Sequence, residues 1–256
     1  MSSDERPVGV LDSGVGGIST LRELIRVLPG ENFIYYGDMA NAPYGNKSKE
    51  EVIACVRNAV NHLIGENIKA LVLACNTATG AAAATLRAEL SIPVIGMEPA
   101  LKPASEIREN GCILVLATAL TLQTEKFNLL MNKYGNDAIR VPCPGLMELV
   151  ENNDGNGASV YLRKLFSAYD LDRVDAVVLG CTHYVFLKDM IREMLPAHIA
   201  LMDGNEGTAR QLRRILTEKG LLRDGGTGRV TLETSGTADE LLLMKKLLST
   251  GKVEMN

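Results

Sequence analysis

The sequence predicts an α/β fold made of two similar lobes, each with a mostly parallel sheet flanked by helices. Short apolar runs alternate with longer amphipathic stretches along the chain, which is the pattern of strands and helices in parallel sheets. The length of 256 residues is sufficient for one large domain or two small ones. A short pattern also occurs twice: LVLACNT at residues 71–77 resembles VVLGCT at residues 177–182. The repeat favours two half-chains of similar architecture.

The first part of the chain is predicted to alternate strands with amphipathic helices. Apolar runs indicate strands at residues 8–11, 33–36, 69–74 and 92–95. Apolar residues at helical spacing, or strong helix formers, indicate helices at residues 18–28, 49–63 and 81–90. Ser48 and Glu51 have the spacing of a capping box at the start of the second of these helices.

The same alternation begins again after residue 110. Strands are predicted at residues 112–116, 138–141 and 176–179, and helices at residues 123–133, 161–168 and 187–195. Thr237 and Glu240 indicate a capping box for a last helix through Leu248. We expect residues 1–97 and 207–256 to form the first lobe and residues 98–206 the second. Because parallel sheets bind ligands beyond the carboxyl ends of their strands, the active site is expected between the lobes.

Composition excludes several classes of protein. With 27 Lys and Arg against 31 Asp and Glu, a net charge of −4, 4% aromatic residues and no Trp, the chain is a poor candidate for binding nucleic acid. No apolar stretch is long enough to span a membrane, and the first residues do not resemble a targeting signal. The five cysteines are odd in number and form no CxxC pair. They predict free thiols in a reducing cytoplasm.

Two cysteines are expected at the carboxyl ends of strands, with polar residues directly after them. Asn76 and Thr77 follow Cys75, and Thr182 and His183 follow Cys181. Each cysteine also precedes a predicted helix N-terminus, which lowers the pKa of a thiol and offers free N–H groups to an anion. The remaining cysteines fall in a helix, at a strand start and in a loop, namely Cys55, Cys112 and Cys143.

Three functions are compatible with this pair. A racemase without a cofactor needs a base on one face of a carbon and an acid on the other, which two thiols from facing lobes provide. A zinc site could use Cys75, Cys181 and His183, although the usual close pairs of ligands are missing. A two-lobed binding protein without catalysis would need no cysteines, so it leaves the matched pair unexplained.

The glycine-rich segment DSGVGG, at residues 12–17, follows a predicted strand and precedes a helix. It does not match the dinucleotide pattern GxGxxG, because Ser19 occupies the place of the third glycine. Residues 45–48, GNKS, likewise lack the Gly-Lys step of a phosphate-binding loop. The segment is therefore predicted to be a tight turn that presents Asp12 and Ser13 to a ligand.

Five short motifs together resemble the bacterial glutamate racemase family. They are DSGVGG at 12–17, YYGD at 35–38, APYG at 42–45, CNTA at 75–78 and GCTHY at 180–184. The resemblance implies interconversion of L- and D-glutamate without a cofactor or metal, which supplies D-glutamate for peptidoglycan. It also implies a homodimer. Relatives with the same two-cysteine plan act on aspartate or hydantoins, so aspartate stays open as an alternative substrate.

The resemblance also assigns roles to residues. Cys75 and Cys181 correspond to the two catalytic cysteines, Asp12 to the acid that assists the first and His183 to the residue that assists the second. Glu151 resembles an additional acid. The substrate-binding motifs correspond to Asp12, Ser13, Tyr44, Gly45, Asn76, Thr77, Thr182 and His183.

Three positions depart from the family's usual residues. Thr79 stands where serine is common, Val185 where proline is usual and Gly204 where serine often follows the aspartate. They lie beside the motifs and away from the predicted proton-transfer groups.

Overall fold

The computed structural model describes residues 4–250, so the ends of the predicted first lobe, residues 1–3 and 251–256, lie outside it. The strands, numbered along the chain, are β1 Val8–Asp12, β2 Phe33–Gly37, β3 Ala70–Leu73, β4 Val94–Gly96, β5 Cys112–Ala117, β6 Ala138–Pro142, β7 Val174–Leu179, β8 Ala200–Asp203 and β9 Val230–Thr234. They form one sheet in the order β4-β3-β1-β2-β9 and another in the order β6-β5-β7-β8. All neighbouring strands are parallel.

Helices cover both faces of each sheet. The α-helices are α1 Ile18–Val27, α2 Lys49–Gly65, α3 Asn76–Glu89, α4 Leu101–Ile107, α5 Ala119–Gln123, α6 Glu125–Tyr134, α7 Leu146–Glu151, α8 Gly155–Phe166, α9 Lys188–Met194, α10 Asn205–Glu218 and α11 Ala238–Thr250. Short 3₁₀ segments span Met39–Asn41, Tyr44–Asn46, Leu171–Arg173 and Thr182–Leu187. The predicted α/β class with two parallel sheets is confirmed.

All the strands and helices predicted from the sequence are present, but several others were not predicted. The helix predicted from residue 81 begins earlier, at Asn76, immediately after Cys75. The helices and strands missed are α4, α5, α7, β8, α10 and β9. Their omission matters for the architecture, because β9 completes the first sheet and α10 packs against α1.

Hydrophobic cores lie on both sides of each sheet. In the first lobe, α1, α10 and α11 cover one face and α2 and α3 cover the other. In the second lobe, α7, α8 and α9 cover one face and α4, α5 and α6 the other. Because the central strands are buried on both faces, they are continuous apolar runs, as in β3. Phe186 packs against cores of both lobes and so helps to join them.

Two predicted capping boxes define helix starts. The Ser48 hydroxyl accepts a hydrogen bond from the Glu51 N–H, and the Glu51 carboxylate accepts one from the Ser48 N–H at 2.7 Å. Thr237 and Glu240 make the same reciprocal pair before α11. Each pair satisfies N–H groups that a helix start leaves without partners.

A buried ion pair lies at the amino-terminal ends of β2 and β3 in the first sheet. Lys69 Nζ lies 2.7 Å from Glu31 Oε2, and both side chains are almost fully buried. Lys69 also donates to the Asp4 carbonyl at 2.7 Å, and Glu31 Oε1 accepts from the Arg223 N–H at 2.7 Å. The pair and its hydrogen bonds therefore connect four segments that are distant in sequence.

Within residues 4–250, no helix has both the length and the apolar character that crossing a bilayer requires.

Candidate active site

Cys75 lies where β3 ends and α3 begins. Its Sγ accepts a hydrogen bond from the Ala78 N–H at 3.4 Å and lies 3.7 Å from Ser13 Oγ. The side chain is buried, with 6% exposed. Burial, followed by the charge of Asp12, raises the pKa of the Cys75 thiol to about 12. The N-terminus of α3 does lower the pKa of Cys75 through the Ala78 N–H, as expected, but desolvation outweighs this hydrogen bond and the net change in pKa is upward.

Cys181 follows β7 and opens the 3₁₀ segment Thr182–Leu187, with α9 starting only at Lys188. An α-helix N-terminus was expected at this cysteine, and the structure places a tighter turn there. Cys181 Sγ lies 3.8 Å from His183 Nδ1. The turn thus brings the thiol and the imidazole of the GCTHY motif together.

His183 connects Cys181 to Glu151. Its Nε2 lies 3.0 Å from Glu151 Oε1, and the imidazole is 1% exposed. Burial alone would lower the pKa of His183, but the hydrogen bonds and charges of Cys181 and Glu151 raise it well above its ordinary value. His183 therefore stands between the Cys181 sulfur and the Glu151 carboxylate, and the charges of both favour its protonated form.

Asp12 ends β1 and is fully buried. Its carboxylate accepts hydrogen bonds from the Gly14 N–H at 2.9 Å and from Thr182 Oγ1 at 3.2 Å. Burial raises the pKa of Asp12, while His183 and these hydrogen bonds oppose the rise. Asp12 was expected near the first thiol. It affects Cys75 through its charge, and its side-chain hydrogen bond from the other lobe comes from Thr182.

The glycine-rich turn lets the second lobe approach the first closely. A Cβ at Gly16 would collide with Thr182 Oγ1 and lie 2.6 Å from His183 Nδ1. A Cβ at Gly17 would lie 2.5 Å from Asp12 Cβ. Gly16 therefore permits close packing between the lobes, and Gly17 permits close packing within the first lobe. Of the two residues expected to face a ligand, Ser13 lines a small cavity between the lobes, whereas Asp12 is fully buried and does not.

Both thiols line one small cavity. Its lining comprises Ser13, Gly45, Cys75, Asn76, Thr77, Thr118, Met147, Gly180, Cys181, Thr182 and His183. The space open to the centre of a water molecule is about 10 Å³, so the cavity has room for about one water. Most of the residues predicted for the site meet here. Of the others, Asp12 and Glu151 form hydrogen bonds with the lining residues Thr182 and His183, and Tyr44 directly precedes Gly45.

The Asn76 side chain is buried and has no hydrogen-bond partner at either polar atom. It is 5% exposed, and both Nδ2 and Oδ1 are unpaired. An unpaired buried amide is costly, and the great majority of such groups in proteins have partners. Since Asn76 lines the cavity, its donor and acceptor are available to a polar ligand.

Three threonine hydroxyls from both lobes meet beside the cavity. Thr77 Oγ1 lies 3.1 Å from Thr118 Oγ1 and 3.0 Å from Thr121 Oγ1, and Thr118 donates to Thr121 at 2.9 Å. Thr118 and Thr121 were not predicted from the sequence. The available signal was the Thr-x-x-Thr spacing directly after β5, where the ligand edge of a parallel sheet lies.

Tyr44 is held by a carboxylate that was not assigned to the site. The Tyr44 hydroxyl donates to Asp38 Oδ2 at 2.6 Å, and Asp38 Oδ1 accepts from Ser235 at 2.8 Å. Gly45, next to Tyr44, lines the cavity. Asp38 thus fixes the loop that carries Gly45, and its presence in the YYGD motif was the signal that pointed to it.

Helix α7 closes the cavity from the second lobe. The chain enters it through Gly145 with φ +82°, a left-handed conformation that favours glycine. Met147 lines the cavity, and Glu148 accepts a hydrogen bond from Asn46 Nδ2 of the first lobe at 3.2 Å. Glu151, the predicted additional acid, is the last residue of this helix.

Two of the three residues that depart from the family's usual residues have structural roles outside the cavity. Thr79 donates to the Leu73 carbonyl and accepts from the Met97 N–H, both at 3.1 Å. A Cβ at Gly204 would collide with the Glu98 carbonyl oxygen.

Across residues 4–250, no group of three or more His, Cys, Asp or Glu side chains is arranged to hold a metal ion.

Comparison with known proteins gives a consistent result. The family model described as Asp/Glu/Hydantoin racemase matches residues 11–212. A protein named glutamate racemase from Clostridium acetobutylicum is 48% identical over 248 residues, which cover 94% of this chain and 96% of that protein.

Solved structures agree. The crystal structure of glutamate racemase isoform RacE1 from Bacillus anthracis has a TM-score of 0.86 and 33% identity, covering 96% of this chain and 95% of that one. The structure of glutamate racemase from Francisella tularensis in complex with D-glutamate has a TM-score of 0.81 and 27% identity, covering 96% and 95%. The family predicted from the five motifs is thereby confirmed: the chain belongs to the Asp/Glu/Hydantoin racemase family.

Proposed function

We propose that this protein interconverts L- and D-glutamate by moving protons at Cα between two thiols. The observation that carries the proposal is the cavity itself, in which Cys75 and Cys181, from different lobes, line the same enclosed space. Inversion at a carbon needs an acid and a base on opposite faces, and facing lobes supply them. The names of the relatives favour glutamate as the substrate.

In this mechanism one thiolate removes the α-proton and the other thiol delivers a proton to the opposite face. The reverse reaction exchanges the two roles. The α-hydrogen is a very weak acid, so the developing carbanion needs hydrogen-bond donors at the α-carboxylate. The N-terminus of α3 and the unpaired Asn76 amide provide donors beside the cavity.

The surroundings of the two thiols differ. Cys75 has a raised pKa and is therefore neutral around pH 7, which suits the thiol that donates. His183, which is held by Glu151, lies beside Cys181 and can accept and return the proton of that thiol. We therefore propose that His183 and Glu151 assist at Cys181, and that Asp12 tunes Cys75 through its charge.

The substrate enters when the lobes separate. A cavity with room for about one water molecule cannot admit an amino acid without opening. Closure then excludes water and strengthens each hydrogen bond to the carbanion. The lobes were predicted at 1–97 with 207–256 and at 98–206. We place the hinge of this motion at residues 97–98 and just before α10, which begins at Asn205, two residues earlier than the predicted boundary.

The biological setting is part of the same proposal. Cys55, Cys75, Cys112, Cys143 and Cys181 are all unpaired. A reaction that depends on free thiols suits the reducing cytoplasm, where the D-glutamate formed would supply peptidoglycan synthesis. We further propose a homodimer, which light scattering coupled to size-exclusion chromatography tests directly.

Single cysteine variants test the reaction. Circular dichroism of glutamate at equal enzyme concentration measures racemisation in both directions for Cys75→Ser, Cys181→Ser and the matched control Cys112→Ser. Cys112 is partly exposed at the start of β5. Loss of either acid–base group should lower the rate of racemisation by about 10²–10⁴-fold, whereas the control should retain the wild-type rate.

Racemisation, hydrogen exchange at Cα and glutamate binding together separate the alternatives. Near-wild-type racemisation by either active-site variant would refute the two-thiol mechanism. Exchange of the α-hydrogen of aspartate in D₂O faster than that of glutamate would assign the substrate to the alternative amino acid. Tight binding of glutamate without any exchange at Cα would identify a binding protein instead.

A further inference from the structure

The hydroxyl of Tyr35 holds the glycine-rich turn at Gly14. Tyr35 lies in β2, and its side chain is fully buried. Its hydroxyl donates to the Gly14 carbonyl at 2.6 Å, and a Cβ at Gly17 would lie 3.0 Å from the same hydroxyl. One hydroxyl thus bonds to the turn at Gly14 and lies close to it at Gly17.

The turn held in this way contacts groups at both thiols. Ser13 Oγ lies 3.7 Å from Cys75 Sγ. On the other side, a Cβ at Gly14 would lie 3.0 Å from Glu151 Oε1 and 3.6 Å from His183 Nε2. A displacement of the turn would therefore change the surroundings of Cys75 and of the His183–Glu151 pair together.

Tyr35 itself is not among the residues that line the cavity. Its ring packs in the core formed with α1, and the hydroxyl alone reaches the turn. We propose that Tyr35 is a positioning residue, whose hydroxyl sets the place of the turn and through it the geometry of proton transfer. This inference rests on the proposed racemase function.

The neighbouring residue provides a matched control. Tyr36 lies on the same strand, but its side chain points to the opposite side of the sheet and its ring is 4.9 Å from the His62 ring. Tyr36 is partly exposed. Tyr35→Phe and Tyr36→Phe each delete one hydroxyl from adjacent positions, and only the first of these hydroxyls contacts the turn.

The experiment measures kcat and KM for glutamate with both variants, at a temperature where circular dichroism shows full folding. Misplacing reacting groups by about 1 Å can cost about 10²-fold in rate, so Tyr35→Phe should lower kcat by about 10- to 100-fold. KM should change much less, because Asn76, Thr77 and Thr182 are on other elements. Tyr36→Phe should match the wild type in both parameters.

The deuterium isotope effect on kcat for α-deuterated glutamate identifies the step affected. An inactive fraction of the protein lowers kcat equally for both isotopic forms of glutamate and leaves this isotope effect at the wild-type value. Slower proton transfer raises the isotope effect, because that step then limits kcat more fully. A lower kcat without a higher isotope effect would therefore overturn the inference.

A second variant covers the case in which Tyr35→Phe does not fold. Tyr35→Met also deletes the hydroxyl, and its flexible apolar side chain can fill the same place in the core. It should show the same loss of kcat. Wild-type kcat in a folded variant of either kind would refute the role of Tyr35. Failure of the wild-type protein to racemise glutamate would instead refute the proposed function.

Discussion

The Thr182 hydroxyl of the second lobe donates a hydrogen bond to the Asp12 carboxylate of the first lobe, at 3.2 Å. Both groups are buried. The bond lowers the pKa of Asp12 against the larger effect of burial. A single contact between the lobes therefore helps to keep the Asp12 carboxylate charged.

Removing that contact should weaken catalysis. In Thr182→Val the shape is kept, but the carboxylate loses a donor, and a hydrogen bond to a charged group contributes about 1.5–3 kcal/mol. We expect kcat/KM to fall by about 10- to 100-fold. Thr217→Val, at an exposed position of α10, is the control and should be neutral. Equal kcat/KM values in the two variants would contradict this role of Thr182.

Gly16→Ala should prevent full closure. The added methyl group would occupy the space of Thr182 Oγ1 and His183 Nδ1, so racemisation should fall by more than about tenfold while the lobes remain folded. Gly207→Ala in α10 meets nothing within 4 Å, and should stabilise the protein by about 0.5–1 kcal/mol. Urea denaturation and activity measured side by side test both expectations. Undiminished activity in Gly16→Ala would disprove the proposed closure.

Buried thiols should make stability fall at alkaline pH. Burial raises the pKa of Cys143 to about 12, above its unfolded value of about 8.5. Below pH 8.5 both states are protonated, and between the two values only the unfolded state loses the proton. The free energy of unfolding therefore decreases as pH rises through this interval, by up to about 1.4 kcal/mol per pH unit for one such thiol.

The comparison of wild type with Cys143→Ala isolates this contribution. Urea denaturation at pH 8 and pH 10.5 should show a smaller decrease for the alanine variant. Identical decreases would mean that Cys143 titrates normally in the folded protein.

Replacing only one partner of the Lys69–Glu31 pair should strongly lower the free energy of unfolding. Lys69→Met leaves a buried carboxylate without its partner, so we expect about 3–5 kcal/mol of destabilisation. Lys69→Met combined with Glu31→Gln should cost less than the single change. Arg210→Met breaks an exposed pair with Glu206 and should cost less than about 1 kcal/mol. Chemical denaturation measures all three, and a double variant less stable than Lys69→Met would contradict the expectation.

Much of the site could be predicted because its residues follow strands. Ser13, Asn76 and Thr182 lie at the carboxyl ends of β1, β3 and β7, where parallel sheets bind ligands. The missed elements carry weaker signals. Helix α7 has only six residues, too few to show helical periodicity, and β9 is an edge strand with two threonines and a glutamate in VTLET.

The pKa of Cys75 could not be predicted from its position before a helix. Sequence shows the helix start, but not that Asp12 comes close and that both groups are enclosed by the other lobe. Those contacts join residues from different parts of the chain. The same holds for Thr118 and Thr121, whose relation to Thr77 depends on how the lobes meet.

The place of β9 also bears on how the protein is made. This strand, close to the end of the chain, pairs along its whole length with β2, which is synthesised among the first forty residues. When the ribosome reaches residues 230–234, all four strands of the second sheet have already been synthesised, whereas the edge of β2 is still uncovered. The order of translation therefore favours completion of the middle of the chain before its beginning, and leaves the newborn first sheet in need of protection from unwanted strand pairing.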